Sequence, residues 1–305
     1  MFITITGELG SGKTTVARIL NQEYGFDFYS TGSIQREIAK EKGITTLELN
    51  QLMSNDVNNI YDKMIDDKTV EISHKNAGKD LVFDSRMAWH FVERSFKVYV
   101  TVDPYMAAQR VIRAGRGVEE QYGSFEEAAE SLRKRKQLED SRFAEIYSVR
   151  TTDFSNYDLI VDSTFITPEE LADIILEKAR GENAGQQVYL SLQRLLPTKT
   201  LQDIDAERTA GREETAVDEP AVDEPVEAVE FQHFYYIVHG HRRVSAGLLA
   251  KEKLIPVKLL RVDSQGYVEK YHQKAEDIAA LSRECCQDWE ERHAMKFLGY
   301  PQTAH

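Results

Sequence analysis

Along the first 180 residues, apolar positions repeatedly switch between the short runs of buried strands and the spaced stripe of amphipathic helices. Phe2 to Thr6 is a short β-branched run that meets a glycine turn at Gly7, and a helical pattern follows from Lys13 to about Tyr24. Phe26 to Tyr29 is a second short strand ending at Ser30-Thr31-Gly32, with helical patterns over about 33–42, 46–64 and 66–77. Leu81-Val82-Phe83 and Val98-Tyr99-Val100 are compact apolar runs bounded by charge or turn residues, the pattern of parallel strands covered on both faces. Helices over 105–115 and 125–147, a strand over 158–162 and a helix opened by Thr167-Pro168-Glu169-Glu170 complete the unit. That last start combines a Thr cap, a Pro in the first turn and glutamates at the positive end of the helix dipole. Strands alternating with helices predict an α/β domain over residues 1–180, a doubly wound parallel layer with right-handed connections.

Gly181-Glu182-Asn183-Ala184-Gly185 ends the pattern. Residues 181–205 form a boundary segment with a strand-like Val188-Tyr189-Leu190-Ser191-Leu192 and then Pro197. Residues 206–230, with the direct repeat AVDEP-AVDEP at 216–225, are expected to be an acidic disordered spacer, because like charges and prolines oppose packing. Residues 231–305 form a small α+β module: strand Tyr235 to Val238, a turn, a helix, strand Ile255 to Val262, and a long charged helix from about Val268 to Phe297.

The length of 305 residues fits two domains, and 41% hydrophobic content supports a sizeable core. The net charge of -13 argues against a general nucleic-acid coat. More than half of it sits between Ala206 and Glu230, where nine acidic residues face two basic ones. Cys285 and Cys286 are adjacent, so they offer neither a disulfide framework nor a zinc site and are expected as helix thiols in a reducing compartment. The start MFITITGELG lacks a basic leader, and no apolar run reaches the ~18 residues of a membrane span, so a cytoplasmic setting is expected.

Gly7-Glu8-Leu9-Gly10-Ser11-Gly12-Lys13-Thr14 fits G-x-x-x-x-G-K-[ST] between an apolar strand and an amphipathic helix. The glycines Gly7, Gly10 and Gly12 let the backbone curl so that N–H groups of the loop, through Ser11 and on to Thr14 and Thr15, face phosphate oxygens. Lys13 would reach the β- and γ-phosphates of a bound nucleotide, and the Thr14 hydroxyl would join the shell of Mg²⁺. At the end of the second strand, Ser30-Thr31-Gly32 is followed by Arg36, which fits either a cradle for an acceptor phosphate or an N-cap with a surface arginine. Phe83-Asp84-Ser85-Arg86 ends the third apolar run: Asp84 can hold Mg²⁺ through water and Arg86 can bind an acceptor phosphate, with a surface ion pair as the alternative. Arg110, Arg113 and Arg116 follow the fourth strand, and Arg133, Arg135 and Arg142 lie on the helix over 125–147. Arg135 and Arg142 are two helical turns apart and share a face, with Glu139 between them able to orient either. They suit an arginine-bearing lid over a transferring phosphoryl group, or simply a solvated charged face.

The segments ITITGELGSGKTTVARIL, YSTGSIQREIAKEKGI, VFDSRMAW, RKRKQLEDSRFAEIY and DFSNYDLIVDST together resemble the nucleoside monophosphate kinases, most closely the short cytidylate kinases of archaeal type. The resemblance implies a five-stranded parallel sheet ordered 2-3-1-4-5, a helical lid, ATP and Mg²⁺ on the phosphate loop, and CMP or dCMP as acceptor. It would give Thr31, Gly32, Arg36, Asp84 and Arg86 to the acceptor, and Lys13, Arg135 and Arg142 to the transferring group. Three departures bear on the acceptor: Ser85 where the family usually has Gly, Leu138 in place of a small polar residue, and Ser148-Val149-Arg150 in place of a glycine-containing segment. A kinase of another small acceptor is the alternative within the same chemistry.

Tyr236 to Ala246, then Ile255-Pro256-Val257, is similar to the core of ParB-like domains, with residues 188–198 as the opening strand. Gly240 with Arg242 and Arg243 forms a second place where a strand-to-helix turn can hold a nucleotide or phospho-ligand. His239 stands where such domains usually carry an acid, and His239-x-His241 lacks the further ligands of a metal site. From Phe231 onward eleven basic residues face nine acidic ones, which gives DNA little support; a nucleotide-dependent DNA-binding or partition-associated protein stays as the alternative from another class.

Overall fold

A computed structural model describes residues 1–45, 48–49, 52, 59–114, 124–181, 185–210 and 225–298. The chain divides into two compact units, Met1–Gln186 and Gln187–His305.

The first unit alternates β1 (Phe2–Gly7), α1 (Lys13–Tyr24), β2 (Asp27–Ser30), α2 (Thr31–Lys42), α3 (Ile60–Lys75), β3 (Leu81–Asp84), α4 (Ala88–Phe91), β4 (Ser95–Thr101), α5 (Pro104–Ala114), α6 (Phe125–Tyr147), β5 (Leu159–Asp162) and α7 (Pro168–Arg180). Its strands lie in the order β2-β3-β1-β4-β5, and every pairing is parallel. The central strands are mostly apolar because helices cover both faces: Ile3, Ile5, Leu81, Val82, Phe83, Val98, Val100 and Leu159 to Val161 are all buried, together with the polar Thr4, Thr6 and Thr101. Since the strands run the same way, their C-terminal ends share one edge. The register sets Asp84 beside Ile5 on one side and Ser30 on the other. One cluster joins Ile34, Ile38 and Ala39 of α2 to Ile65 and Ile72 of α3 and Leu81 and Phe83 of β3. A second joins Ala107, Ala108 and Val111 of α5 to Ala128 and Leu132 of α6, seating the N-terminal half of α6 on α5.

The periodicity predicts a break near residue 65, but α3 runs through it. Ile65, Thr69, Ile72 and Ser73 are buried and form one continuous stripe, so polar Thr and Ser complete a face that a purely apolar count divides. Most of the predicted helix before Asn59 lies outside the described residues, as does Arg116. The cap of α7 is formed as expected: Thr167 accepts from the Glu170 backbone N–H at 3.2 Å, and the Glu170 carboxylate accepts from the Thr167 N–H at 2.8 Å.

The second unit contains β6 (Gln187–Ser191), β7 (Leu195–Leu196), α8 (Leu201–Ala210), β8 (Val226–Phe231), β9 (Phe234–His239), α9 (His241–Leu249), β10 (Leu254–Leu260), a hairpin of β11 (Tyr267–Val268) and β12 (Gln273–Lys274), and α10 (Ala275–His293). Its sheet is ordered β6-β10-β8-β9-β7, with β10–β8 and β7–β9 parallel and the other two pairs antiparallel. Two expectations need correction. The segment 206–230, read as an acidic spacer, includes the end of α8 and most of β8; residues 211–224 lie outside the described residues. The closing helix starts at Ala275 and not near Val268, because the β11–β12 hairpin occupies the intervening residues. Cys285 and Cys286 are buried on α10, and burial raises their thiols to about 11 and about 12. Among the described residues no helix is long and apolar enough to cross a membrane.

Strand β8 shows why a charge count misjudges it. Val226, Ala228 and Val229 are fully buried, and Glu227 is accommodated among them by Lys270 Nζ at 2.5 Å, Tyr271 OH at 2.7 Å and Lys258 Nζ at 3.1 Å. Burial pushes this carboxyl up, but the three donors outweigh it and hold Glu227 at about 2. The folded-state value lies below the ordinary 4.5, so the ionised carboxylate stabilises the unit above pH 4.5, and that contribution is lost as pH falls from about 4.5 to about 2. Glu227→Ala should cost about 1–3 kcal/mol in urea unfolding at neutral pH, and the difference from wild type should shrink below about pH 4.5.

Candidate active site

The loop between β1 and α1 turns because Gly7 can pass the neighbouring strand where no side chain fits. Gly7 has φ 136°, and a Cβ there would fall 2.1 Å from the Val100 carbonyl oxygen. The Glu8 N–H then donates to that same oxygen at 3.0 Å. The Glu8 carboxylate turns inward and accepts from the Val102 N–H at 2.7 Å and the Thr101 hydroxyl at 3.1 Å, pinning the loop to the end of β4. Gly12 caps α1 with φ 86° and open space on its Cβ side, so the first N–H groups of α1 are approachable.

Lys13 folds over the loop, donating to the carbonyls of Gly7 at 2.9 Å and Glu8 at 2.5 Å and to the Ser11 hydroxyl at 3.3 Å. Burial, reinforced by the positive charge of Arg86, pulls its amine down to about 7 against the opposing pull of Asp84 and Glu8. Thr14 donates to Asp84 Oδ2 at 2.5 Å, so the hydroxyl and the carboxylate meet across β1 and β3. They form an oxygen-only donor pair on the cavity wall, which suits a hard divalent cation held in part through water.

A cavity of about 870 Å³ runs along the shared strand edge. Thr31, Gly32 and Arg36 line it on one side, the phosphate loop from Leu9 to Val16 forms its floor, and Arg110, Ser163 and Ile166 to Pro168 lie on the other side. Asp84, Arg86, Arg135 and Arg142 also line it. The candidate residues of the first unit therefore come together, with one exception: Gly7 lies beneath the loop, where its carbonyl receives Lys13. The α2 cap is made by Ser30 and Ser33, which accept from each other's backbone N–H groups at 3.1 and 2.8 Å, so the Ser30-Thr31-Gly32 segment does open the helix, with Ser30 as its cap. Arg133 pairs with Glu130 and Arg113 is exposed; neither lines the cavity.

Several contacts of these side chains carry no local sequence signal. Arg110 reaches from α5 to the Ser163 carbonyl at 2.6 Å, the Ser163 hydroxyl at 3.1 Å, the Thr164 carbonyl at 3.2 Å and the Gly10 carbonyl at 3.4 Å. It clamps the phosphate loop to the segment after β5, at the cost of burial that lowers its pKa. Arg86 pairs with Glu139 of α6, which also meets Arg135 at 3.4 Å. Lower on α6, Arg142 pairs with Asp62 of α3, and the Tyr147 hydroxyl donates to Asp66 at 2.6 Å. Burial raises the Asp66 carboxyl to about 6. These two contacts, one helical turn apart on α3, tie α3 to α6.

In the second unit, Gly240 has φ 93° at the start of α9 and packs on Val226, with Arg242 exposed and Arg243 partly buried in the first turn. His239 is exposed, whereas His241 is buried with Nε2 accepting from the Thr198 N–H at 3.2 Å. Burial, with Lys199 and His239 adding repulsion, lowers His241 to about 3, which keeps it neutral. Among the described residues no group of three or more His, Cys, Asp or Glu side chains could hold a metal ion.

Residues 2–164 match the cytidylate kinase-like family. The cytidylate kinase of Methanobrevibacter smithii is 30% identical over 176 residues, covering 58% of this chain and 96% of that protein. An S-adenosylmethionine-dependent nucleotide dehydratase of Lacinutrix mariniflava is 31% identical over 188 residues, 61% of this chain; the match spans only 37% of the dehydratase. Among solved structures, a shikimate kinase from Bacteroides thetaiotaomicron aligns with a TM-score of 0.42 and 15% identity, covering 58% of this chain and 97% of its own.

The position of Lys13 has a pH consequence. With the amine lowered from 10.5 to about 7, it is mostly neutral above that pH, and a polyphosphate that favours the ammonium must bring a proton with it. Calorimetric titration with ATP in buffers of different ionisation heat should show proton uptake at about pH 8 that diminishes toward about pH 6. The Lys13→Met variant should lack the lysine's share of that uptake.

Proposed function

Because the chain belongs to the cytidylate kinase-like family and carries a nucleoside monophosphate kinase domain, we propose that it transfers the γ-phosphoryl group of ATP to CMP or dCMP. The observation that carries this reading is one cavity lined by Lys13 and Thr14 of the phosphate loop, by Asp84 at the end of β3, and by arginines from three segments, Arg36, Arg86 and the Arg135–Arg142 pair. The family implies ATP with a divalent metal, and Mg²⁺ is proposed as that metal, held by Thr14 and, through water, by Asp84. When bound, the ion supplies charge neutralisation to the β- and γ-phosphates.

The chain's own residues do the remaining work. Backbone N–H groups of Gly10 to Thr15 and the Lys13 ammonium hold the donor phosphates, with Gly7 shaping the loop from below. Thr31, Gly32, Arg36 and Arg86 orient the acceptor phosphate, whose oxygen is the nucleophile. Arg135 and Arg142 offset charge on the group in transit, so that catalysis is positioning plus electrostatics without a covalent intermediate. The long reach of α6 along the cavity supports its proposed role as a lid that excludes water. A cytoplasmic setting belongs to the same proposal.

For Gln187–His305 the proposal is a ParB-like module, supported by the succession β9, Gly240, α9 and β10 with Ile255-Pro256-Val257 on the last strand. Gly240, Arg242 and Arg243 would there meet a nucleotide or phospho-ligand.

ATP consumption with Mg²⁺ across a panel of nucleoside monophosphates tests the kinase reading. Turnover should be strongest with CMP or dCMP and should fall by at least about 100-fold in Lys13→Ala. Folded protein that binds ATP yet turns over no monophosphate would overturn it.

A further inference from the structure

Glu139 projects from the middle of α6 into the cavity with its side chain 23% exposed. One carboxylate oxygen meets Arg86, from the end of β3, and the other meets Arg135 of its own helix at 3.4 Å. The two arginines repel: the charge of Arg135 adds to burial in lowering the Arg86 pKa, and Arg86 in turn depresses Lys13. Two guanidinium cations and the Lys13 amine thus crowd one end of the cavity, and Glu139, with Asp84, offsets their repulsion.

Resting on the monophosphate kinase reading above, we propose that Glu139 is an exchangeable internal counter-ion, a positioning residue that competes with the acceptor's phosphate for Arg86 while keeping Arg86 and Arg135 aligned. A carboxylate and a phosphate dianion make the same kind of charge-assisted bond to a guanidinium, and the phosphate brings more charge and a further acceptor oxygen. The acceptor therefore displaces Glu139 from Arg86, and part of its binding energy goes into that exchange. Glu139 keeps its second oxygen for Arg135, so the lid arginine stays oriented as the exchange takes place. Glu139 thereby weakens acceptor binding and speeds the chemical step, a division of effect expected when binding energy is used for alignment.

The two effects separate in kinetics. With wild type first shown to phosphorylate a monophosphate, Glu139→Gln keeps the shape and removes the charge. The acceptor KM should fall about fivefold, the scale of one net hydrogen bond. The kcat should fall about tenfold as the arginines lose alignment, while the KM for ATP stays unchanged. Glu139→Asp, which restores the charge, should recover part of kcat. Calorimetric binding of CMP without ATP should likewise be tighter in Glu139→Gln than in wild type. An acceptor KM that rises or stays the same in Glu139→Gln would overturn the exchange, a rise meaning that Glu139 itself holds the acceptor. Wild type inactive on every monophosphate would instead sink the kinase reading, so the two failures are distinct.

Discussion

The passage of Gly7 beneath Val100 is the constraint on which the first unit's chemistry depends. A side chain at this position would collide with the backbone of β4, so the close approach, and the Glu8–Val100 hydrogen bond that follows it, require glycine. Once the chain is held there, the Glu8 carboxylate finds the Val102 amide, the loop carbonyls point at the Lys13 amine, and α1 begins with approachable N–H groups. The parallel register then decides what surrounds the loop. Asp84 and Ser30 end adjacent strands at matching heights, so a carboxylate and the start of α2 arrive at the same edge.

A cluster of cations in a partly buried cavity is expensive, and this protein meets the expense with carboxylates drawn from elements distant in sequence. Glu139 serves Arg86 and Arg135, and Asp62 serves Arg142. Among the described residues no carboxylate contacts Lys13 directly; backbone carbonyls and the Ser11 hydroxyl receive its protons, and burial leaves its amine weakly basic. The amine is thereby poised to take its proton together with an arriving phosphate.

How much of this was legible in the sequence follows from how local each cause is. The alternation over residues 1–180 and the helix over 125–147 were readable because periodicity and caps act within a few residues: Ser124 accepts from the Glu127 N–H, and Ser148 ends the helix in a left-handed conformation. The loop motif and the arginine spacing were readable for the same reason. Glu8 was not, because it occupies a position the motif leaves open, and its partners lie over ninety residues away. Arg110 could be seen as one of a series of arginines, but its clamp on Ser163 depends on how α5 and β5 meet. Strand β8 was hidden within a run whose net charge outweighed its alternation, and only Lys258, Lys270 and Tyr271 make Glu227 compatible with burial.

The two-point tie between α3 and α6 has a consequence for how such a domain can be recombined. Asp62 and Asp66 are presented by one helix and answered by Arg142 and Tyr147 on another, eighty and more positions later in the chain. A graft that replaces the segment around α3 with a relative's, in search of a different acceptor, leaves Arg142 and Tyr147 facing strangers. The two helices are therefore a single inheritable cassette: what is exchanged on one must be exchanged on the other, although nothing in the linear order marks them as a pair.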